Sequence, residues 1–312
     1  MLSACYAPLQ AEAILHITGP DSLTFLQGQT TCDTRKISST QALPGAYCNV
    51  QGRMVCDFLL LQLAQEHYAL RLKADTLDNA AATFGKYIVF SKAELAGGSG
   101  DWQLYGCWGE AVADALRSLG MSTPTARYGA ATGDGHVLVQ MDDAGCQFEL
   151  YIDGAATPEL AGALEAALER CPETQWQALQ MRAGIGRVEG PNVAEMLPQM
   201  LNYDVTGHVS FSKGCYTGQE IVARLHYRGK AKRRMYLGEL PGGAASQAGD
   251  SLFSPGSGQG AGTVINAAQL DDRTVCLVTA TEQGAAGGLR LASPDGPAIE
   301  LQPLPYTVDE AG

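Results

Sequence analysis

The spacing of apolar positions changes along the chain, and each change marks an element. "ILHIT", Ile14–Thr18, reads as a short strand, followed by a Gly-Pro turn. A helix capped by Asp21 or Ser22 comes next, with Leu23 and Leu26 three apart and Gly28 ending it. "GAYCNVQGRMVCDFLLLQLAQEHYALRLKAD" reads as three strands, with tight turns at Gln51-Gly52 and Gln65-Glu66. Asp75 opens an amphipathic helix through "TLDNAAATFGKYI". A "GGSGD" break at 97–101 separates this region from a second α/β stretch, with strands near 103–107 and 136–141 and a helix near 158–170. Trp176 begins a further helix, "WQALQMRAGIG", and Pro191 to Asp204 is irregular. Beyond Arg234, short runs rich in Val, Leu and Thr are separated by Gly, Pro, Asn and Asp, the signature of a small antiparallel barrel or sandwich. The expectation is an α+β body over residues 1–230, its second part centred on about 101–175, and a β module over 231–312.

Composition narrows the function. At 312 residues, 46% hydrophobic and 17% charged, the chain predicts a sizeable core and no extended disorder. A net charge of −12 argues against direct nucleic-acid binding, which needs cations to neutralise phosphates. The acidity is uneven. "RLHYRGKAKRR", Arg224 to Arg234, carries six of the 21 Lys and Arg residues and no acid. It is either a solvated basic loop or a docking surface for an anion. The nine cysteines form no C-x-x-C pair, and the nearest two, Cys48 and Cys56, match no common metal spacing. Free thiols in a reducing cytoplasm are the economical reading, with no stably bound metal. No export signal and no run of 18 apolar residues is present, so neither secretion nor a membrane is expected.

"KGCYTGQE", residues 213–220, concentrates the chemistry. Thr217-Gly218-Gln219-Glu220 fits a capping box opening a helix over "EIVARL". Cys215 then lies just ahead of a helix N-terminus, where free amides and the dipole favour an anion, with Lys213 adding a cation. Together these imply a thiol titrating at about 7 to 8 rather than about 8.5. The plainer reading is a buried cysteine in a glycine-hinged turn. A cysteine hydrolase needs a base, for which His208 and His226 are the local candidates. Trp176 serves either as a core anchor or as a platform for a flat heterocycle. Asp57, inside the apolar "MVCDFLLL", is either paired or facing a cleft, because a buried strand acid needs a partner. Thr30, Thr31 and Asp33 read as a turn.

The motif, continued by "IVARLHYRG" and "KRR", resembles the signature of the YgfZ-type folate-binding proteins, relatives of the glycine cleavage T-protein aminomethyltransferase. "ITGPDSLTFLQGQTTCD", "GKYIVFSKAEL", "LPQMLNYDVTGHVSFSKGC" and the closing "PLPYTVDE" extend the resemblance over essentially the whole chain. It implies an aminomethyltransferase-like (GcvT-like) α+β fold, a ring of two interleaved domains with a C-terminal antiparallel β-barrel, around a cavity for tetrahydrofolate. It implies a role in assembling or repairing iron–sulfur clusters, and so in the activity of tRNA-modifying cluster enzymes, with folate and iron–sulfur proteins or assembly factors as partners. Carried over residue by residue, it makes Cys215, Lys213 and Glu220 the chemical centre and Gly214 and Gly218 motif glycines. Trp176, Asp57, Arg182, Tyr216, Gln219 and Arg228 become the candidates for folate contact. One cysteine does not hold a cluster alone, so any cluster would be shared with a partner. The alternative is a folate-dependent aminomethyl transferase with Asp57 as its acid, and a third reading is a scaffold that binds acidic proteins through 224–234. Two departures count against transfer: only one carboxylate stands where the T-protein has paired aspartates, and Arg182 replaces its pterin-facing glutamate. Glu12 stands near a position where some relatives carry a tryptophan.

Overall fold

The computed structural model describes residues 4–256 and 258–308. In chain order the first part holds β1 (Cys5–Pro8), β2 (Glu12–Thr18), α1 (Ser22–Gln29), β3 (Leu43–Cys48), β4 (Met54–Ala64), β5 (His67–Lys73), α2 (Leu77–Ile88) and β6 (Glu94–Gly97). β7 (Trp102–Trp108), α3 (Val112–Ser118), β8 (Ala130–Gly133), β9 (His136–Gln140), β10 (Gln147–Asp153), α4 (Pro158–Ala167) and β11 (Glu169–Arg170) follow. The rest comprises α5 (Glu173–Arg182), α6 (Gln219–Arg228), β12 (Arg234–Pro241), β13 (Ser251–Phe253), β14 (Gly260–Gln269), β15 (Arg273–Ala280), α7 (Glu282–Ala286), β16 (Leu289–Leu291) and β17 (Ala298–Gln302). Two compact units result: Met1–Gly45 with Phe58–Trp176, and Ala46–Asp57 with Gln177–Gly312. The sequence changes character near residue 230, whereas 177–230 groups with the barrel. Among the described residues no helix is long and apolar enough to cross a membrane.

In the first unit a six-stranded sheet runs β11-β1-β7-β10-β9-β8. It is antiparallel except where β11 joins β1. Val112 and Leu116 of α3 and Leu164 of α4 pack over Leu138, Phe148, Leu150 and Ile152. A second sheet runs β3-β4-β5-β2-β6. Its helix α2 buries Ala80, Phe84 and Ile88, four apart, with Asp78 in the first turn and Lys86 in the last, each favourable to the helix dipole.

The second unit is built on a closed antiparallel barrel, β12-β15-β14-β13-β16-β17. Closure leaves no sheet edge unpaired, which suits short strands of this composition. Leu240, Leu252, Val264, Cys276, Val278 and Ile299 form one buried cluster. Met235, Leu237, Ile265 and Leu277 belong to another, with Met181, Met196, Leu201, Tyr203 and Val222.

Three expectations shift. Gly28 lies inside α1 rather than ending it, and the Thr30 amide bonds Leu26 O at 2.9 Å to close the helix. α5 starts at Glu173, three residues before Trp176, and the Glu173 carboxylate accepts from the amides of Gln10 and Ala11 at 3.1 Å each. α3 and β10 were not anticipated.

Candidate functional site

The cysteine loop rests on a tight turn. Asn49 Oδ1 accepts from the amides of Gln51 and Arg53 at 3.0 Å each, and the Gly52 amide bonds Asn49 O at 2.9 Å. That turn abuts the start of α6 so closely that a Cβ on Gly218 would lie 2.4 Å from Asn49 O and 3.0 Å from the Gly52 Cα. Gly218 is the N-cap of α6 and has φ +82°, a left-handed conformation that favours glycine. This overturns the expected capping box with Thr217 as N-cap: the N-cap is Gly218, which has no side chain to cap with. Glu220 sits exposed in the first turn, where its charge complements the dipole instead.

Of the nine cysteines Cys215 alone is exposed; Cys5, Cys146 and Cys171 are half-buried and the other five buried. The plainer reading of a buried cysteine is therefore wrong. Lys213 does not project into solvent. It is 6% exposed, with its ammonium 5.2 Å from the centre of the Tyr216 ring, a cation–π contact. Tyr216 is itself buried, and its hydroxyl has no hydrogen-bond partner among the described residues. Burial pushes that phenol well above its ordinary value, with the nearby Cys48 thiol adding to the shift. Burial likewise raises Cys48 to about 12, an inert core thiol.

Among the described residues neither histidine hydrogen-bonds Cys215. His208 is buried, stacked on Tyr203 at 4.1 Å, with Nδ1 2.9 Å from the Thr206 hydroxyl. His226 stacks on Phe211 at 3.7 Å, its plane inclined by 10°. Among the described residues no cluster of three or more His, Cys, Asp or Glu is arranged to hold a metal ion.

The folate candidates do not share one environment. Asp57 is 2% exposed and accepts from the Arg187 guanidinium and from the Val188 amide at 2.6 Å, which answers the cleft-or-partner question with a partner. Arg187 is positioned in turn by Asn266, whose Oδ1 accepts from its amide at 2.8 Å and whose Nδ2 donates to its carbonyl at 2.9 Å. Arg182 pairs with Glu239 at 3.0 Å, and Arg273 reaches the same carboxylate at 3.1 Å. Desolvation raises Glu239, but hydrogen bonds from Arg182 and then Arg273 outweigh it and leave the carboxyl below its usual value. Trp176 is 3% exposed, 5.9 Å from Trp108 between ring centres, and occupies the space above Gly106, where a Cβ would come within 2.5 Å of the indole. Its place is that of a core anchor rather than an open platform. Gln219 is half-buried at the start of α6, and Arg228 is exposed at its end.

The basic run divides as well. Arg234 is held by Asp204 at 2.8 and 2.9 Å, and Lys230 faces Glu282 at 3.7 Å. Arg233 lines a cleft of about 740 Å³ with Arg53, Glu195 and Ile221, beside the turn that supports the cysteine loop. Arg224 and Lys232 stand exposed.

Sequence reasoning missed a buried charge network in the first unit. Arg71 bonds Glu149 at 2.8 and 3.0 Å and Glu12 at 3.3 Å, Lys73 reaches Glu12 at 3.4 Å, and Tyr151 donates to Glu149. Desolvation raises the Glu149 carboxyl, and Arg71 counters it. The signal was available: "HYALRLK" and "QFELYID" each place charge inside an apolar strand, as "MVCDFLLL" does.

No family model matches the chain. It is 33% identical over 304 residues to the tRNA-modifying protein YgfZ of Yersinia pseudotuberculosis, covering 96% of this chain and 91% of that one. It is 30% identical over 302 residues to the tRNA-modifying protein YgfZ of Klebsiella pneumoniae, covering 96% and 92%. Its fold is similar to the crystal structure of the glycine cleavage system aminomethyltransferase T from Bartonella henselae, with a TM-score of 0.76 and 16% identity over 98% of this chain and 86% of that one. With that identity and coverage behind it, the chain belongs to the YgfZ family, on an aminomethyltransferase-like fold.

Proposed function

We propose that this protein is a cytoplasmic, tetrahydrofolate-binding accessory factor for iron–sulfur cluster assembly or repair. Through cluster-dependent enzymes it supports tRNA modification, with Cys215 as the thiol that meets the partner. The observation that carries the reading is the exposure of Cys215 ahead of α6, while the core cysteines are sealed. The name of the relatives supports the link to tRNA modification. Nine cysteines with no disulfide among the described residues suit a reducing compartment. A cluster is cargo here, and the partner supplies the remaining ligands.

The folate part rests on fewer residues than the sequence offered. Arg228 is open to an anionic glutamate tail, Gln219 is accessible at the other end of the helix, and Tyr216 offers a buried hydroxyl with no partner among the described residues. Those three keep polar groups that a folate could meet, though none lines a described cavity. Asp57 and Arg182 are already held in ion pairs and Trp176 is packed, so none of these three is counted as a contact. When bound, the folate supplies one-carbon or reducing capacity; the chain supplies cations and hydrogen-bonding groups. The transferase alternative needs Asp57 as a free acid, and Arg187 and Val188 already hold its carboxylate.

The test replaces Cys215 by alanine in the cell and assays a cluster-dependent enzyme and tRNA thiolation. The reading expects losses matching deletion of the whole protein; wild-type activity in the variant would overturn it. Calorimetric titration of the purified protein with tetrahydrofolate checks the folate part, and absence of saturable binding removes it.

A further inference from the structure

A cavity of about 460 Å³ opens at the C-terminal end of α6, wholly within the second unit. Its size falls in the range of small-molecule sites. No residue of the cysteine loop lines it, nor do Trp176, Asp57, Arg182, Tyr216, Gln219 or Arg228.

The lining specifies a ligand. Leu225, Met235, Leu304 and Val308 make the walls apolar. Lys230, Lys232 and Arg234 bring three cations to the lining of this cavity, in a protein whose net charge is −12. Arg234 is neutralised by Asp204 and Lys230 by Glu282. Lys232 is exposed and makes no ion pair among the described residues, so one positive charge is uncompensated.

Gln199 completes the pattern. It is 1% exposed and lines the cavity, and its Nε2 donates to the Val222 carbonyl at 2.8 Å. That bond fixes the amide, because the flipped form would set oxygen against oxygen. Oε1 is then a buried acceptor with no partner among the described residues. A buried polar atom without a partner is costly, and only an N–H or O–H donor satisfies this one.

We propose that this cavity binds a small amphipathic carboxylate: an apolar or aromatic body, one N–H or O–H donor for Gln199 Oε1, and an acid group for Lys232. The site stands apart from the folate reading and does not depend on it.

Indole-3-acetate carries all three features and serves as the probe. Ligand-observed NMR titration of the full chain is expected to show saturable binding on the order of 1 mM, reasonable for a fragment of that size. The N-methyl analogue, which lacks the donor, is expected to bind about tenfold more weakly. Lys232→Glu is expected to weaken binding about fivefold, with the difference shrinking as salt is raised. Gln199→Leu is expected to erase the preference for the N–H form. Should that buried substitution prevent folding, the N-methyl comparison on the wild type and the exposed Lys232→Glu variant still decide. Cys215→Ala is expected to bind the probe as the wild type does. Absence of saturable binding, equal affinity for the two analogues, an unchanged Lys232→Glu variant, or loss of binding in Cys215→Ala would each overturn the proposal.

Discussion

Two glycines of one loop, given the same substitution, should behave differently. Gly218→Ala places a methyl group 2.4 Å from Asn49 O, and 3.0 Å from a neighbouring backbone Cα, at a residue with φ +82°. The left-handed conformation costs an alanine about 1 to 2 kcal/mol. Moving backbone out of the way adds about 1 to 3 kcal/mol, by analogy with overpacked cores. Reduced freedom of the unfolded chain returns about 0.4 to 1 kcal/mol. The net expectation is a loss of about 3 kcal/mol, within about 1 to 5. At Gly214 a Cβ meets nothing within 4 Å, and φ lies outside the left-handed region. Gly214→Ala should stay within about 0.5 kcal/mol of the wild type. Urea unfolding followed by circular dichroism separates the two, with a midpoint shift of roughly 1 M for Gly218→Ala and almost none for Gly214→Ala. Equal midpoints would refute the claim that the Asn49–Gly52 turn holds the loop.

The remaining predictions concern groups away from the loop. Asp57→Leu leaves the Arg187 guanidinium 12% exposed without its carboxylate and should cost about 3 to 5 kcal/mol. Adding Arg187→Leu should recover part of that loss, which paired urea midpoints would measure. Gly106→Ala drives a methyl group to within 2.5 Å of the Trp176 indole; a loss of about 1 to 3 kcal/mol and a changed tryptophan emission spectrum are expected. Glu239 has its folded value held below its ordinary 4.5, so its ion pairs contribute stability above that value and lose it as pH falls through the lowered one. Glu239→Gln should therefore be less stable than the wild type at neutral pH, with the gap closing in acid; a gap independent of pH would contradict this.

Much of the fold was legible because its periods are strong. The three strands around "MVCDFLLLQLA", helix α2 and the barrel all announce themselves through apolar spacing and turn residues. α3 was not, because seven residues give barely two turns of periodicity, and its place depends on packing over β10, far along the chain. The capping box failed for a related reason: Thr217 and Glu220 have the right spacing, but Gly218, packed against the Asn49 turn nearly 170 residues away, takes a left-handed φ of +82° that makes it the N-cap and leaves Thr217 one residue outside it.

Site residues divide along the same line. The neighbours of Cys215 marked it as a candidate, but its exposure could not be read from them. Asp57 announced that it needed a partner, yet Arg187 lies 130 residues on and carried no local mark. Trp176 looked available as a platform because nothing in its own segment shows that Gly106 makes room for the indole. The basic run was visible as a block; which of its cations are spent on Asp204 and Glu282 depends on chain folding back from either side.

Competitive alkylation addresses the central claim most directly. Limiting N-ethylmaleimide is added to the native protein, the reaction is quenched at short times, and modification at each of the nine cysteines is quantified by peptide mass spectrometry. Cys215 should be labelled at least about tenfold faster than Cys48, Cys56, Cys107 and Cys276, and ahead of the half-buried Cys5, Cys146 and Cys171. Labelling of any core cysteine at the rate of Cys215, or first labelling elsewhere, would contradict it.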